Sequence, residues 1–389
     1  MSVTAAQGFV ATGLSCGIKD DGGLDLALVA TADGAPVSAA GVFTDNKMIA
    51  APVVTCRRHL GAASGQAAAV VLNSGNANAA TGAPGEADAE DMCRAVADSL
   101  GCKAHEVLVC STGLIGISLP IDAIVAAVPD LVGGRSPQGG EVAAEAILTT
   151  DTHRKEVAVP VGDTAAVVGG MAKGAAMLAP NMATMLAVLT TDAEVDPGDL
   201  TAMLRAGVGT SFNRLVTDGC RSTNDTVLIL ASGRAGPVPA GDLAAAVAKA
   251  CRELAAQMAG DAEGATKVVT LTVSGAASDD EAEAGARQIA RSALCKCSWF
   301  GQDPYWGRLA SELGSAGIDF DQERVSVAYG GVTVAAQGVS VDHDDGAVAA
   351  HMSARHLDIA CDLGLGHGTC TVLTNDLTPA YIDENTGGS

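Results

Sequence analysis

Aromatic side chains are scarce in this sequence, since Phe, Trp and Tyr together occupy only 10 of its 389 positions. Hydrophobic residues nevertheless make up 48% of the chain, and glycine alone contributes 47 residues. Disordered chains are poor in apolar residues, so this composition indicates a folded protein. Its length suits one large domain or two closely packed ones. With so few large rings, we expect a tight core of small side chains in which backbone segments approach closely.

Basic residues are also few, since 23 Lys and Arg stand against 45 Asp and Glu and leave a net charge of −22. Nucleic acids and anionic membranes attract basic surfaces, so we expect neither as a partner. No apolar run approaches the ~20 residues that span a bilayer. The N-terminus has neither the basic region nor the continuous apolar region of a signal peptide. These absences predict a cytoplasmic protein.

The 11 cysteines are odd in number and follow no framework spacing, so we expect reduced, mostly buried thiols. Cys295 and Cys297 form a Cys-x-Cys pair, which a strand would present on one face, but no second Cys or His pair is near them in the sequence. His343, His351 and His356 lack the i, i+4 spacing that places two imidazoles on one helix face. We therefore expect no metal site and no resident cofactor.

Short apolar runs alternate with amphipathic segments along the whole chain, which predicts an α/β or α+β fold. We expect strands at residues 68–72, 107–110, 227–231, 268–273, 324–328 and 369–373. We expect helices at residues 86–100, 121–128, 199–208, 242–258 and 281–293. The Gly- and Pro-rich segments 133–140 and 233–241 are typical of surface loops.

Two glycine motifs resemble catalytic signatures without their structural context. Residues 13–17 fit Gly-x-Ser-x-Gly, but turn residues follow them where a nucleophile elbow needs a helix. Residues 169–174 resemble a phosphate loop, but the order Gly-Lys-Ser/Thr is absent. We interpret both as chance matches.

The dipeptide Ala183-Thr184 carries the strongest chemical signal in the sequence. A buried structural hydroxyl is the commoner role for a threonine. Here, however, the hydroxyl of Thr184 can attack the preceding carbonyl, and the small Ala183 leaves room for the tetrahedral adduct. Cleavage then frees an α-amine, of pKa about 7.7–8.0, on the same residue as the nucleophile. Such an amine can serve as the base that the hydroxyl needs.

Several short motifs flank this dipeptide in order along the chain. They are residues 43–46 (Phe-Thr-Asp-Asn), 50–53 (Ala-Ala-Pro-Val), 72–79 (Leu-Asn-Ser-Gly-Asn-Ala-Asn-Ala) with 81–82 (Thr-Gly), 111–116 (Ser-Thr-Gly-Leu-Ile-Gly), 149–151 (Thr-Thr-Asp), 222–226 (Ser-Thr-Asn-Asp-Thr) and 261–267 (Asp-Ala-Glu-Gly-Ala-Thr-Lys). Together they resemble the ornithine acetyltransferase family, also called glutamate N-acetyltransferases, which acts in arginine biosynthesis. The resemblance covers nearly the whole chain. It implies an α/β (α+β) fold of the ornithine acetyltransferase type, with sandwiched sheets and helices and an N-terminal-nucleophile-like site.

The resemblance also implies a role for individual residues. The chain would cleave itself between Ala183 and Thr184 into an α chain, residues 1–183, and a β chain, residues 184–389. Thr184 would be the nucleophile that carries the acetyl group as an ester, and Thr112 and Gly113 would form the oxyanion hole. The substrate-binding residues would be Thr149, Lys173, Thr184, Glu263, Asn385 and Ser389.

The activity that the resemblance implies is acetyl transfer from N-acetylornithine to glutamate in a ping-pong cycle. Lys173 would suit the substrate α-carboxylate, and Glu263 would suit the side-chain ammonium of ornithine. Some family members also take the acetyl group from acetyl-CoA, which would then be a co-substrate rather than a cofactor. The α and β chains would remain associated and assemble further as an α2β2 heterotetramer.

The sequence departs from the family pattern at several positions. Tyr305 stands where the family usually has Asn, Cys295 where it has Val, and Cys297 where it has Thr. The tail is one residue short, so Ser389 is the hydroxyl residue that could serve there. Three alternatives therefore stay open: a paralogous acyltransferase of secondary metabolism, an amidohydrolase or aminopeptidase that uses Thr184 with water, and a non-catalytic assembly partner.

Overall fold

The computed structural model describes residues 2–177 and 185–386. The chain forms two compact units. The first comprises the residues up to 213 together with residues 220–258, and the second comprises residues 214–219 together with those from 259 onward.

Within the described residues the chain forms 17 strands and 11 α-helices. The strands are β1 (Phe9–Leu14), β2 (Leu26–Thr31), β3 (Val37–Phe43), β4 (Gln66–Ala67), β5 (Ala69–Asn76), β6 (Val107–Leu114), β7 (Lys155–Pro160), β8 (Val167–Lys173), β9 (Leu186–Glu194), β10 (Leu215–Val216), β11 (Thr226–Pro237), β12 (Val268–Ala276), β13 (Ser326–Tyr329), β14 (Val332–Ala336), β15 (Val339–Ser340), β16 (His356–Asp362) and β17 (Gly368–Asn375). The helices are α1 (Ala51–Ala62), α2 (Gly82–Leu100), α3 (Ile121–Gly133), α4 (Gly140–Ala146), α5 (Pro197–Gly209), α6 (Ala240–Gly260), α7 (Asp279–Arg291), α8 (Ala293–Phe300), α9 (Gly307–Ser315), α10 (Asp345–Ser353) and α11 (Pro379–Glu384).

The first unit contains two sheets. One has four strands in the order β1-β2-β5-β6, of which only the β5–β6 pair is parallel. The other has six strands in the order β4-β3-β11-β9-β8-β7, with a parallel pair at β11–β9 and antiparallel pairs elsewhere. Strand β2 is buried at all six residues. Burial on both faces explains its continuous apolar sequence.

Small and branched side chains build the core of the first unit, as the composition predicts. Phe9 and Phe212 are the two buried aromatic residues among the described residues of this unit. Close approach depends on glycine at Gly170 in β8, where an added Cβ would lie 2.6 Å from the side chain of Leu189 in β9. A larger residue there would force the side chain of Leu189 to move, because well-packed interiors have little free volume.

The second unit is built on a seven-stranded sheet in the order β10-β17-β12-β16-β13-β14-β15. Strand β16 alternates strictly between exposed and buried residues, so one face of it is solvated. Helix α7 packs on β12 and β17. The hydroxyl of Ser278 caps its N-terminus by accepting the backbone N–H of Glu281, and three acidic residues in its first turn suit the helix dipole.

Most predicted elements are confirmed, and the differences have local causes. Helix α2 begins at Gly82, four residues earlier than predicted, so the acidic residues assigned to its first turn lie further along the helix. Residues 233–237 continue strand β11 past a register irregularity and are not a loop. The helix predicted at 281–293 ends at Arg291, because Ser292 adopts an extended conformation and caps the next helix.

The cysteines follow the prediction, with all 11 present as free thiols. Cys295 and Cys297 lie in helix α8, where the first is buried and the second is exposed, so they do not share a face as they would on a strand. Among the described residues, no helix is long and apolar enough to cross a membrane.

Trp299 is the largest fully buried side chain of the described residues. Replacing Trp299→Ala should lower the free energy of unfolding by about 3–5 kcal/mol, because the cavity left behind cannot collapse completely. Phe300→Ala is the matched control, since this neighbouring ring is 42% exposed and should cost much less. Urea denaturation measures both variants. Equal losses would contradict the packing described here.

Candidate functional site

Thr112 and Gly113 lie near the end of strand β6, where its parallel pairing with β5 becomes irregular at Gly75 and Asn76. Gly113 has φ 131°, in the region that only glycine adopts readily. A Cβ on Gly113 would lie 2.2 Å from the carbonyl carbon of Gly75 and 2.4 Å from the nitrogen of Asn76. The close approach of the two strand ends therefore requires glycine at this position, and it leaves the buried side chain of Thr112 facing the adjoining site residues.

Lys173 is the last residue of β8 and brings its ammonium group to Thr112. It is only 3% exposed. Its Nζ donates to Oγ1 of Thr149 at 2.6 Å and to Oγ1 of Thr112 at 3.4 Å. Because the oxygen of Thr112 accepts this bond, its own O–H is directed elsewhere and can donate to a third group. The sequence-predicted residues Thr112, Thr149 and Lys173 thus form one cluster.

Asp151 holds this cluster together by balancing two buried lysines. Its Oδ1 lies 2.7 Å from Nζ of Lys155, and its Oδ2 lies 3.4 Å from Nζ of Lys173. The backbone N–H of Gly174 also donates to Oδ1 at 2.6 Å. Burial alone would raise the pKa of Asp151, but Lys173 and Lys155 together lower it well below the usual range. The carboxylate is therefore charged at neutral pH.

The loop that carries Thr149 is fixed by bonds to its backbone. Lys19 donates from Nζ to the carbonyl of Leu148 at 2.8 Å, and Ser74 donates from Oγ to the carbonyl of Ala146 at 2.7 Å. The backbone N–H of Thr149 itself donates to Oδ2 of Asp151 at 3.3 Å. The hydroxyl of Thr149 consequently has a defined position beside Lys173.

Ala183 and Thr184 lie outside the described residues. The next residue in the chain, Met185, is hydrogen-bonded through both its backbone N–H and its carbonyl. Its backbone N–H donates to Oδ1 of the buried Asp225 at 3.0 Å, and its carbonyl accepts the N–H of Thr226 at 3.1 Å. The neighbouring Asn224 donates from Nδ2 to the carbonyl of Ser111 at 2.9 Å and to that of Ala77 at 2.6 Å.

A small cavity of about 10 Å³ lies beside this end of β6. Its lining includes Ala77, Thr112, Gly113, Ile115 and Asn224. It is large enough for about one water molecule or a group of similar size. The arrangement can therefore hold a small group beside the hydroxyl of Thr112.

Glu263 and Asn385 form a second pair of predicted site residues, in the second unit. Nδ2 of Asn385, which follows α11, donates to Oε2 of Glu263 at 2.7 Å. Gly264 has φ 61°, and a Cβ there would lie 2.3 Å from the backbone nitrogen of Tyr381. The absence of a side chain at Gly264 therefore lets α11 dock on the turn that carries Glu263. Ser389 lies outside the described residues.

The departures from the family pattern also fall in the second unit. Tyr305 is 58% exposed and contacts the guanidinium group of Arg308, which lies 5.9 Å from its ring centroid. Cys297 is exposed on α8, while Cys295 is buried. Sequence reasoning did not assign the roles of Asp151, Asn224 and Asp225, although all three stand in the motifs quoted above.

Within residues 2–177 and 185–386, no cluster of three or more His, Cys, Asp or Glu side chains could hold a metal ion. The site chemistry that the described residues offer is instead that of hydroxyls, backbone amides and one lysine ammonium. Such groups bind carboxylates and stabilise developing negative charge on oxygen.

Comparison with known proteins gives matches along the whole chain. A profile of the ArgJ family matches residues 10–387. The chain is 50% identical to the arginine biosynthesis bifunctional protein ArgJ of Mycolicibacterium paratuberculosis, over 100% of this chain and 96% of that protein. It is 48% identical to the protein of the same name from Streptomyces avermitilis, over 100% of both. Among solved structures, the ornithine acetyltransferase of Mycobacterium tuberculosis complexed with ornithine is 46% identical, with 46% of this chain and 95% of that chain covered and a TM-score of 0.44.

Replacing Asp151→Asn tests the balance of buried charge. It should lower the free energy of unfolding at pH 7 by about 3–5 kcal/mol, because the buried ammonium groups of Lys155 and Lys173 would both lose their contact with this carboxylate. The lowered pKa of Asp151 means that its contribution is present above its unfolded pKa of about 3.9 and is lost as the pH falls below that value.

Urea denaturation at pH 7 and pH 3 measures this difference. The gap between wild type and Asp151→Asn should narrow by about 1 kcal/mol at the lower pH. Asp199→Asn, at an exposed position in the first turn of α5, is the control and should change little at either pH. A gap that is the same at both pH values would show that Asp151 does not act through its charge.

Proposed function

The chain belongs to the ArgJ family, as its motifs predict, and from this we propose that it transfers an acetyl group from N2-acetylornithine to glutamate in arginine biosynthesis. The products are ornithine and N-acetylglutamate. Its full-length similarity to proteins of this family, at 48–50% identity, carries the proposal. The cluster of Thr112, Thr149 and Lys173 in one unit of the fold supports it. As a bifunctional member, the enzyme also acetylates glutamate from acetyl-CoA, which is a co-substrate.

The catalytic nucleophile in this proposal is Thr184, freed by self-cleavage of the bond between Ala183 and Thr184. The chain leaves β8 at Lys173 and re-enters the sheet in β9 at Leu186, which pairs with Lys173. The proposed cleavage point thus precedes, by two residues of sequence, a strand that adjoins the site, which supports this assignment. The six-stranded sheet takes β3, β4, β7 and β8 from residues 1–183 and β9 and β11 from residues 184–389, which supports continued association of the two products.

The transfer step follows from the groups proposed for Thr184, Thr112 and Gly113. The α-amine of Thr184 accepts the hydroxyl proton while Oγ attacks the acetyl carbonyl of N2-acetylornithine. The C–N bond then breaks, and the departing nitrogen of ornithine takes that proton. The hydroxyl of Thr112 and the backbone N–H of Gly113 stabilise the oxyanion, and losing one such donor typically costs about 2.7–4 kcal/mol. The amine of glutamate next attacks the acetyl ester, and Oγ of Thr184 recovers a proton as it leaves.

Substrate recognition uses opposite charges in this proposal. The ammonium of Lys173 and the hydroxyl of Thr149 bind the α-carboxylate that donor and acceptor share. Glu263, held by Asn385 at 2.7 Å, binds the side-chain ammonium of ornithine, and Ser389 completes the set from the tail. Asp151, which contacts Nζ of both Lys155 and Lys173, holds the ammonium of Lys173 in position for that carboxylate.

Two copies of each chain form an α2β2 heterotetramer in this proposal. The free state of all 11 thiols supports a reducing compartment, which we take to be the cytoplasm.

Denaturing mass spectrometry tests the nucleophile. We expect wild-type protein to give two fragments that meet at Ala183 and Thr184, because the hydroxyl of Thr184 attacks the preceding carbonyl. Thr184→Ala should give one intact chain and no acetyl transfer. Thr190→Ala is the control, since this buried hydroxyl donates to the carbonyl of Val3 and should leave cleavage intact. An uncleaved wild-type chain that still transfers acetyl would contradict the proposal.

Glu263→Gln tests substrate recognition separately from cleavage. Self-cleavage should persist, because Glu263 takes no part in it, while KM for N2-acetylornithine should rise about tenfold or more through loss of a charge-assisted contact. Glu253→Gln, at an exposed carboxylate on α6, provides the control. Steady-state kinetics with varied donor measure the effect. An unchanged KM would show that Glu263 does not bind the donor.

A further inference from the structure

Asn224 and Asp225 are adjacent in the chain and bond to two different strands of the first unit. The side chain of Asn224 bonds to the carbonyl of Ser111, next to Thr112, at 2.9 Å. The side chain of Asp225 bonds to the N–H of Met185, next to residue 184, at 3.0 Å. We propose that these two residues, termed the 224–225 bridge, are positioning residues that fix the proposed oxyanion hole at Thr112 and Gly113 and the proposed nucleophile relative to each other. This inference rests on the proposed role of Thr184.

Both hydrogens of the side-chain amide of Asn224 are used in hydrogen bonds to the backbone. It is 4% exposed, and Nδ2 directs its two hydrogens at the carbonyls of Ser111 and Ala77. Ala77 in turn donates its N–H to the carbonyl of Leu114. The side chain therefore bonds to the residue before Thr112 and to Ala77, which is itself bonded to the residue after Gly113. No residue with a single donor could replace it.

Asp225 extends the ladder between β11 and β9 by one residue. Backbone pairing of these strands begins with Thr226 opposite Leu186. At the preceding position the carboxylate oxygen of Asp225 bonds to the N–H of Met185, whose carbonyl accepts the N–H of Thr226. Met185 is thus held at both of its backbone groups, and the amide bond that joins it to residue 184 is one of the held groups.

A carboxyl group at this position is costly, which argues that the chain keeps it for a purpose. Asp225 is 0% exposed, and burial raises its pKa well above the ordinary value, although the bonds from Met185 and Ser222 oppose that shift. An apolar residue would fill the space without desolvating a carboxyl group, but it would leave the N–H of Met185 without an acceptor. The acceptor oxygen, rather than the charge, is the feature that the bridge needs.

The backbone of the bridge and of the two residues before it is hydrogen-bonded to the segment at residues 44–50. The hydroxyl of Thr44 donates to the carbonyl of Ser222 at 2.8 Å, and the N–H of Ala50 donates to the carbonyl of Thr223 at 3.0 Å. The N–H of Thr44 also donates to the carbonyl of Asp225 at 2.9 Å. Because the segment at 44–50 holds the backbone of the bridge, the bridge can fix the positions of the two strands rather than move with them.

Substitutions at the bridge distinguish a positioning role from an effect of charge and from a general loss of stability. Asn224→Ala and Asp225→Ala should each slow self-cleavage and lower kcat by about 10–100-fold with KM within about threefold, because small misplacements of reacting groups have effects of this size. Asp225→Asn keeps an acceptor oxygen of the same length and should remain within about threefold of wild type. Asn224→Gln keeps both hydrogens but moves them by one methylene, and should fold and lose kcat.

Gln257→Ala is the matched control. This side-chain amide also makes two bonds to backbone, both with Glu156, and its loss should lower Tm without lowering kcat. The measurements are the cleaved fraction by mass spectrometry, kcat and KM for acetyl transfer, and Tm. The bridge is overturned if Asn224→Ala and Asp225→Ala keep wild-type kcat, if Asp225→Asn is as impaired as Asp225→Ala, or if Gln257→Ala lowers kcat equally. An uncleaved or inactive wild type would instead contradict the proposed function.

Discussion

Strand β9 is hydrogen-bonded to β8 on one side and to β11 on the other, and eight of its nine residues are buried. A strand paired at both edges and buried along its length has a strongly specified register. That register places Lys173 of β8 and Thr226 of β11 on either side of Leu186. The described site residues Lys173 and Thr226 are therefore positioned by their pairing with the first residue of β9.

Charge balance gives this strand end its chemical character. Asp151 and Lys155 have fully buried side chains and Lys173 nearly so, and buried charges persist only when they are paired. The ammonium of Lys173 is a buried cation in a protein whose net charge is −22. An anionic amino acid is attracted to such a group, while an acidic surface repels polyanions. The same carboxylate also fixes the backbone at Gly174 and Thr149, so electrostatics and geometry depend on one residue.

The sequence correctly predicts the helices and strands whose sequence pattern is local. Helix α6 and strand β12 follow their apolar periodicity and are found within two or three residues of the expected bounds. Segment 233–241 was misassigned, because glycines that indicate a loop here sit in an irregular extension of β11. The start of α2 was also missed, since the residues of its first turn carry no acidic or capping signal. In both cases pairing or packing with distant segments overrode the local preference.

The sequence by itself determined the family, the small-residue core, the acidic surface and the identity of the candidate site residues, because composition and motifs are properties of the chain. Only the tertiary structure decided which of those residues meet. It brought Lys173 into contact with Thr112, 61 positions away in the sequence, and Asn224 into contact with Ser111, 113 positions away. It also showed why position 113 must be glycine, since a Cβ there would clash with the backbone of Gly75. Hydrogen bonds and steric exclusion act over a few ångströms of space, and which segments come within that range depends on strand order and register rather than on the spacing of letters along the chain.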